Sequence, residues 1–107
     1  MNIISWNVNG IRAIVKKDFF NAVKKMNPDI LCLQETKAQD EDTHKALKPL
    51  AEKYHIWCNS AEKKGYSGTA ILSKSLPVSI VNDMEIAEHD NEGRVMCLEF
   101  SNFYLVN

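Results

Sequence analysis

The segment Pro28-Asp29-Ile30-Leu31-Cys32-Leu33-Gln34-Glu35-Thr36-Lys37 constrains the fold more than any other part of the chain. A short apolar run without alternation reads as a strand buried on both faces, the pattern of a central strand in an α/β sheet. The run ends abruptly in an amide, a carboxylate, a hydroxyl and a cation. Ligands of open α/β sheets gather just beyond the carboxyl ends of strands, which makes Glu35 a candidate for chemistry. Residues 2–8 read as an earlier strand, closed by the turn-forming pair Asn9-Gly10. Between the two, Phe19, Phe20, Val23 and Met26 recur at helical spacing and predict a helix over about 16–26. Asn27-Pro28 ends it, because the residue before a proline is driven out of the helical region. Strand, helix and strand in this length form a βαβ unit with parallel strands. Asn7 and Glu35 then both stand at carboxyl ends, and they converge if the two strands are neighbours.

Residues 38–53 are polar with Ala46, Leu47, Leu50 and Ala51 on one face, predicting a helix interrupted near Pro49. A short strand follows over 54–59, then a loop at Gly65-Tyr66-Ser67-Gly68. Residues 69–73 and 78–81 read as a hairpin around Lys74-Ser75-Leu76-Pro77. After an acidic loop over 83–92, residues 93–100 and 103–107 read as another strand pair. The final apolar run, Phe103-Tyr104-Leu105-Val106-Asn107, has no polar tail after it and looks cut inside a sheet.

The 107 residues suffice for one small domain. Apolar residues at 45% and charged residues at 25% exclude a disordered chain. No apolar stretch approaches the roughly 20 residues of a membrane span. The start lacks the pattern of a secretion signal, so a cytoplasmic location is expected, or a nuclear one in a eukaryote. Cys32, Cys58 and Cys97 are odd in number, dispersed and without a C-x-x-C pair, which argues for reduced thiols rather than zinc. A net charge of −1 removes the strongly basic balance typical of nucleic-acid binders, while leaving room for local patches.

A carboxylate and an amide oxygen facing one cleft suit a hard cation. Magnesium takes oxygen ligands, often only one or two carboxylates, and keeps waters for a phosphate substrate. Each residue also has a plain reading: Glu35 as a solvated residue after a strand, Asn7 as part of the turn at Asn9-Gly10. His44, His55 and His89 match no nucleophile or metal pattern.

Two stretches, Ser5-Trp6-Asn7-Val8-Asn9-Gly10-Ile11-Arg12-Ala13 and the segment 28–37, closely resemble the opening of the exonuclease III family of apurinic/apyrimidinic endonucleases. These are DNA-repair phosphodiesterases of the endonuclease/exonuclease/phosphatase superfamily. Gly65-Tyr66-Ser67-Gly68-Thr69-Ala70-Ile71-Leu72-Ser73 and Glu92-Gly93-Arg94-Val95 agree in order and spacing. The resemblance implies the amino-terminal half of a four-layer α/β sandwich, one mixed sheet with flanking helices. Residues 1–107 then form a partial domain whose carboxyl-terminal half is absent.

By the same resemblance the intact enzyme takes part in base excision repair. It cleaves duplex DNA 5′ to abasic sites and trims 3′ ends as an exonuclease, with magnesium as cofactor and manganese as its substitute. Glu35 matches the metal-binding glutamate and Asn7 the asparagine that organises metal or phosphate. DNA-backbone contacts fall on Arg12, Ala13 through its main chain, Lys17, Lys37, Tyr66 and Arg94. Asn9 stands where some relatives carry aspartate, so the charge there is lower. Without the family context Arg12 is a solvated cation, Tyr66 a cap on the core and Arg94 a partner for Glu92 or a neighbouring acid. The residues that activate water and contact the phosphate in relatives have no match here, so the fragment is expected to be inactive alone. A lone sheet would also bare the face meant for its partner and invite self-association. Two rivals stand beside this reading: another phosphoesterase of the superfamily, and a non-catalytic protein, either a truncated relic or a DNA-binding module.

Overall fold

The computed structural model describes residues 1–82 and 92–107. The acidic loop expected over 83–92, apart from Glu92, and His89 lie outside the described residues. Seven strands are described: β1 (Ile3–Asn7), β2 (Ile30–Gln34), β3 (His55–Asn59), β4 (Thr69–Ser73), β5 (Ser79–Asn82), β6 (Met96–Glu99) and β7 (Tyr104–Val106). Helices α1 (Ile11–Ile14), α2 (Phe19–Met26) and α3 (Asp40–Ala46) lie among the first three strands, with a 3₁₀ turn at Lys48–Leu50.

The first sheet is mixed, in the order β1-β2-β4-β3. β1 runs parallel to β2, as the βαβ pattern requires, and β4 runs antiparallel to both β2 and β3. β2 is therefore central, which explains its unbroken apolar run. Alternate residues serve opposite faces. Ile4, Trp6, Leu31, Leu33, Ala70, Leu72, Ile56 and Cys58 meet the helices in one core with Phe19, Val23 and Leu47. Phe19 and Val23 stand one helical turn apart on α2, and the Phe19 ring lies 5.0 Å from that of Trp6. Burying one such phenylalanine contributes about 1.5–3 kcal/mol. α2 stops at Asn27, whose left-handed conformation (φ 44°) precedes Pro28.

Several expectations are corrected. The helix over 16–26 begins only at Phe19, and a separate short helix, α1, occupies 11–14. The interruption near Pro49 is real and takes 3₁₀ form. The hairpin joining 69–73 to 78–81 does not exist: β4 is paired on both edges, so no edge is left for β5. β5 instead pairs with β6, and β6 with β7, in a second antiparallel sheet of order β5-β6-β7. The strand pair over 93–107 is present as β6 and β7.

The second sheet also corrects the expectation of a bare face. Ile30, Cys32 and Ile71 on the far side of the mixed sheet are buried against Met96, Leu98 and Phe100. Phe100 stacks on Phe103 at 4.8 Å. The mixed sheet with its helices on one side thus has a partner sheet on the other. Large apolar side chains are exposed instead on the second sheet, at Ile80, Val81, Tyr104 and Val106, and at Ile3 on the edge strand.

Cys32 and Cys58 are buried while Cys97 is half-buried. Burial pushes the Cys32 thiol up to about 11, and burial together with the charge of Asp40 pushes Cys58 up to about 12. Both thiols are held neutral by the fold. The stability they lend is complete below the unburied value of 9.0 and is lost as pH climbs from there through about 11 and 12. The urea midpoint is expected to fall across that range, and a thiol reagent at neutral pH is expected to label Cys97 first. Equal labelling rates at all three cysteines would contradict this core.

Candidate functional site

The register of the mixed sheet lines up one polar row across its second-sheet face, at the carboxyl ends of the parallel strands. Asn7 stands opposite Gln34, Gln34 opposite Thr69, and Thr69 opposite Asn59. In the central row Cys32, Ile71 and Trp57 are aligned and apolar, with Ser5 completing it on the edge strand. Neighbouring strands lie about 4.8 Å apart, and Glu35 follows Gln34 directly, so Asn7 and Glu35 occupy adjacent positions at this rim.

Three loops are laced together around Glu35 by backbone hydrogen bonds. Gly10 N donates to Glu35 O (2.8 Å) and Ile11 N to Thr36 O (2.9 Å). Thr36 N donates to Gly68 O (3.1 Å) and Lys37 N to Ser67 O (2.7 Å). The backbone is forced into the left-handed region at Asn9 (φ 47°), Glu35 (φ 55°), Lys37 (φ 53°) and Ser67 (φ 50°). Each such residue costs about 1–3 kcal/mol and persists only where its surroundings over-determine it. Four of them meet within one knot of main-chain bonds.

Two glycines let the knot close. A Cβ on Gly68 would stand 2.2 Å from Thr36 Oγ1, and one on Gly93 would stand 2.4 Å from Ala61 N. The second contact draws the segment carrying Arg94 onto the loop carrying Tyr66, and Ser67 Oγ donates to Gly93 O (3.4 Å). As a result Glu35 and Arg94 line one small cleft of about 110 Å³ with Gln34, Ser67, Gly68 and Thr69.

The expected site residues fall into two groups. Glu35, half-buried, shares its cleft with Arg94. Arg94 donates from Nη2 to Tyr66 Oη (2.7 Å), and its guanidinium lies 5.2 Å from the centre of that ring. The bond to Tyr66 raises the Arg94 pKa above its ordinary value, with Glu92 and Glu35 adding in the same direction. Arg94 thus takes Tyr66 as its hydrogen-bonding partner, where the plain reading gave it Glu92. The second group surrounds the Asn9 turn. Lys37 Nζ donates to Asn9 Oδ1, and Arg12 Nη2 donates to Lys37 O (3.0 Å). Ala13 and Lys17 are exposed beside them, on α1 and the turn after it. Arg12 borders a separate cleft that includes Glu41, Asp42 and Lys64.

Asn7 lies outside the Glu35 cleft. Its Oδ1 accepts from Asn9 N (3.0 Å), so the turn reading of Asn7 is real. An amide oxygen has two lone pairs, and one remains for another partner. Among the described residues the cleft itself holds one carboxylate, Glu35, with the Asn7 amide at the neighbouring strand end. Among the described residues no three His, Cys, Asp or Glu side chains gather to hold a metal ion. A single carboxylate suits a hard cation that keeps most of its waters.

Residues that sequence reasoning missed are the ones that build the frame. Gln34 Nε2 donates to Ser5 Oγ (3.0 Å), Cys32 O (3.3 Å) and Asn107 Oδ1 (2.8 Å). Asn107 Nδ2 donates to Leu33 O (3.1 Å) and Ala70 O (2.9 Å), pinning the second sheet to the end of β2. Asn59 Nδ2 does the same through Val95 O (2.9 Å). A polar residue at the rim end of each strand, last in β1, β2 and β3 and first in the antiparallel β4, is the available signal. Gly93→Ala is expected to lower stability by at least about 1 kcal/mol through its positive φ alone, read as a reduced urea midpoint. An unchanged midpoint would mean the contact with Ala61 is loose.

Comparison with known proteins follows the same lines. A family described as "Endonuclease/Exonuclease/phosphatase family" matches residues 4–106. The chain is 50% identical over 107 residues to an exodeoxyribonuclease of Bacillus subtilis, covering 99% of this chain and 41% of that protein. It is 46% identical over 107 residues to the DNA repair nuclease APEX1 of Danio rerio, covering 99% and 34%. An AP endonuclease structure from Archaeoglobus fulgidus superposes with a TM-score of 0.81 at 27% identity, over 100% of this chain and 40% of that one. The chain thus spans well under half the length of these relatives.

Proposed function

The chain belongs to the endonuclease/exonuclease/phosphatase family, in its exonuclease III branch, and we propose that it supplies the cation-holding and DNA-gripping part of a magnesium-dependent phosphodiesterase of DNA repair. Residues 1–107 act as a partial domain in this reading. The observation that carries it is convergence. Four segments far apart in sequence, 7–12, 35–37, 65–69 and 92–94, meet at one rim, and they are the segments through which the chain resembles abasic-site endonucleases.

The roles follow from the chemistry of each group. Among the described residues Glu35 gives the cleft its carboxylate and would hold magnesium, or manganese in its place, with Asn7 Oδ1 reaching in from the neighbouring strand end as a neutral second ligand. A bound cation neutralises charge developing on phosphoryl oxygens. Arg94, fixed by Tyr66, binds a backbone phosphate next to that position, and the guanidinium fork suits phosphate geometry. Arg12, Ala13, Lys17 and Lys37 extend the contact along the strand. Phosphate contacts of this kind position a protein on a duplex without reading sequence. Cleavage 5′ to an abasic site, with 3′-end trimming, is the activity assigned to the whole protein.

Phosphodiester hydrolysis also needs a positioned water and stabilisation of the leaving group. A cleft with one carboxylate provides neither by itself. The 107-residue chain is therefore expected to bind duplex DNA carrying an abasic-site analogue, with affinity that falls as salt rises, and to cut it no faster than background with magnesium present. Robust turnover would overturn the division of labour, and salt-insensitive or absent binding would overturn the nucleic-acid reading. In a parallel magnesium titration, amide resonances of residues 35–37 are expected to shift, and Glu35→Gln to abolish the response. An unchanged response in that variant would remove Glu35 as the ligand.

A further inference from the structure

Lys63 is the feature of this rim that the resemblance leaves unassigned. Its Nζ lies 5.5 Å from the centre of the Tyr66 ring, and the Arg94 guanidinium lies 5.2 Å from the same ring. One aromatic ring therefore serves two cations. Attraction between a cation and a ring face is worth about 0.5–1 kcal/mol at exposed sites, enough to bias a long side chain toward one place. Lys63 and Arg94 are both exposed, and Arg94, although drawn on by the charges of Glu92 and Glu35, spends its hydrogen bond on the Tyr66 hydroxyl, so the pair can still present charge to an external anion. The arrangement is built rather than incidental: Gly93 closes on Ala61, two residues before Lys63, and brings Arg94 alongside. The Tyr66 hydroxyl is already engaged with Arg94.

We propose that Tyr66 works as a positioning residue that holds Lys63 and Arg94 as a paired clamp on the DNA backbone, with Lys63 as a further phosphate-binding residue. The inference deepens the nucleic-acid reading above and rests on it. Lys25, exposed in the last turn of α2 at the end of the sheet away from the rim, provides the internal control.

The test is the salt dependence of binding to an abasic-analogue duplex, followed by fluorescence anisotropy without divalent cation. Each phosphate contact contributes about 0.9 to the slope of log K against log salt. Lys63→Gln is expected to reduce the slope by about that amount and Lys25→Gln to leave it near the unaltered value. Tyr66→Phe keeps the ring but removes the hydroxyl, and is expected to retain the Lys63 share of the slope. Tyr66→Leu is expected to lose it. If the unaltered chain binds with a salt slope that Lys63→Gln does not change, or that both lysine variants reduce equally, the clamp is overturned while the nucleic-acid reading stands. If the unaltered chain shows no salt-dependent binding, that reading fails and the clamp with it.

Discussion

Everything at the rim depends on how the backbone of residues 34–37 is held. The turn after β1 binds it from one side, through Gly10 and Ile11, and the loop before β4 binds it from the other, through Ser67 and Gly68. Side chains alone could not hold a half-exposed carboxylate in one place at acceptable entropic cost. Here the main chain is fixed first, at the expense of several left-handed residues, and Glu35 inherits its position from that. The same knot sets Lys37 against Asn9 and Arg12 against Lys37, so the basic residues around the turn are organised by the loop that carries the acid.

The two-sheet arrangement supplies the second constraint. The interface between sheets is apolar near its centre, with Ile30, Cys32 and Ile71 against Met96, Leu98 and Phe100. At the rim it turns polar, and its amides are spent on joining the sheets. Asn107 bonds both carbonyls of the Leu33–Ala70 pair and Asn59 reaches Val95. Polar groups at a layer edge must find partners once they leave water, and no buried side-chain polar atom among the described residues is left without one. The rim is thus a place where the fold can carry polar chemistry without destabilising its core.

Much of this was legible in the sequence. The unbroken run Ile30–Leu33 announced a central strand, and the turn chemistry at Asn9-Gly10 and Asn27-Pro28 bounded the βαβ unit correctly. That the carboxyl ends of β1 and β2 are neighbours followed from that topology, while the turn of Asn7 away from the Glu35 cleft onto Asn9 did not. The failures have a common physical cause. Strand-like segments declare themselves through local patterning, but which sheet they join is decided by free edges, and β4 has none to offer β5. Local patterning therefore gives the β6–β7 pair, but neither its extension by β5 nor its packing over the far face of the first sheet. Likewise Tyr66 and Arg94 were both singled out, yet their mutual bond was invisible, because it depends on Gly93 meeting the backbone at Ala61.

The central claim is that Glu35 is held by a rigid main-chain knot and not by a loop that orders only on binding. Amide hydrogen exchange on the unliganded chain tests it most directly. The account expects Gly10, Ile11, Thr36 and Lys37 to exchange slowly and together, at rates near those of β2, because each donates to a carbonyl inside the knot. Exchange of these amides at the rate of an open loop, while β2 stays protected, would contradict it.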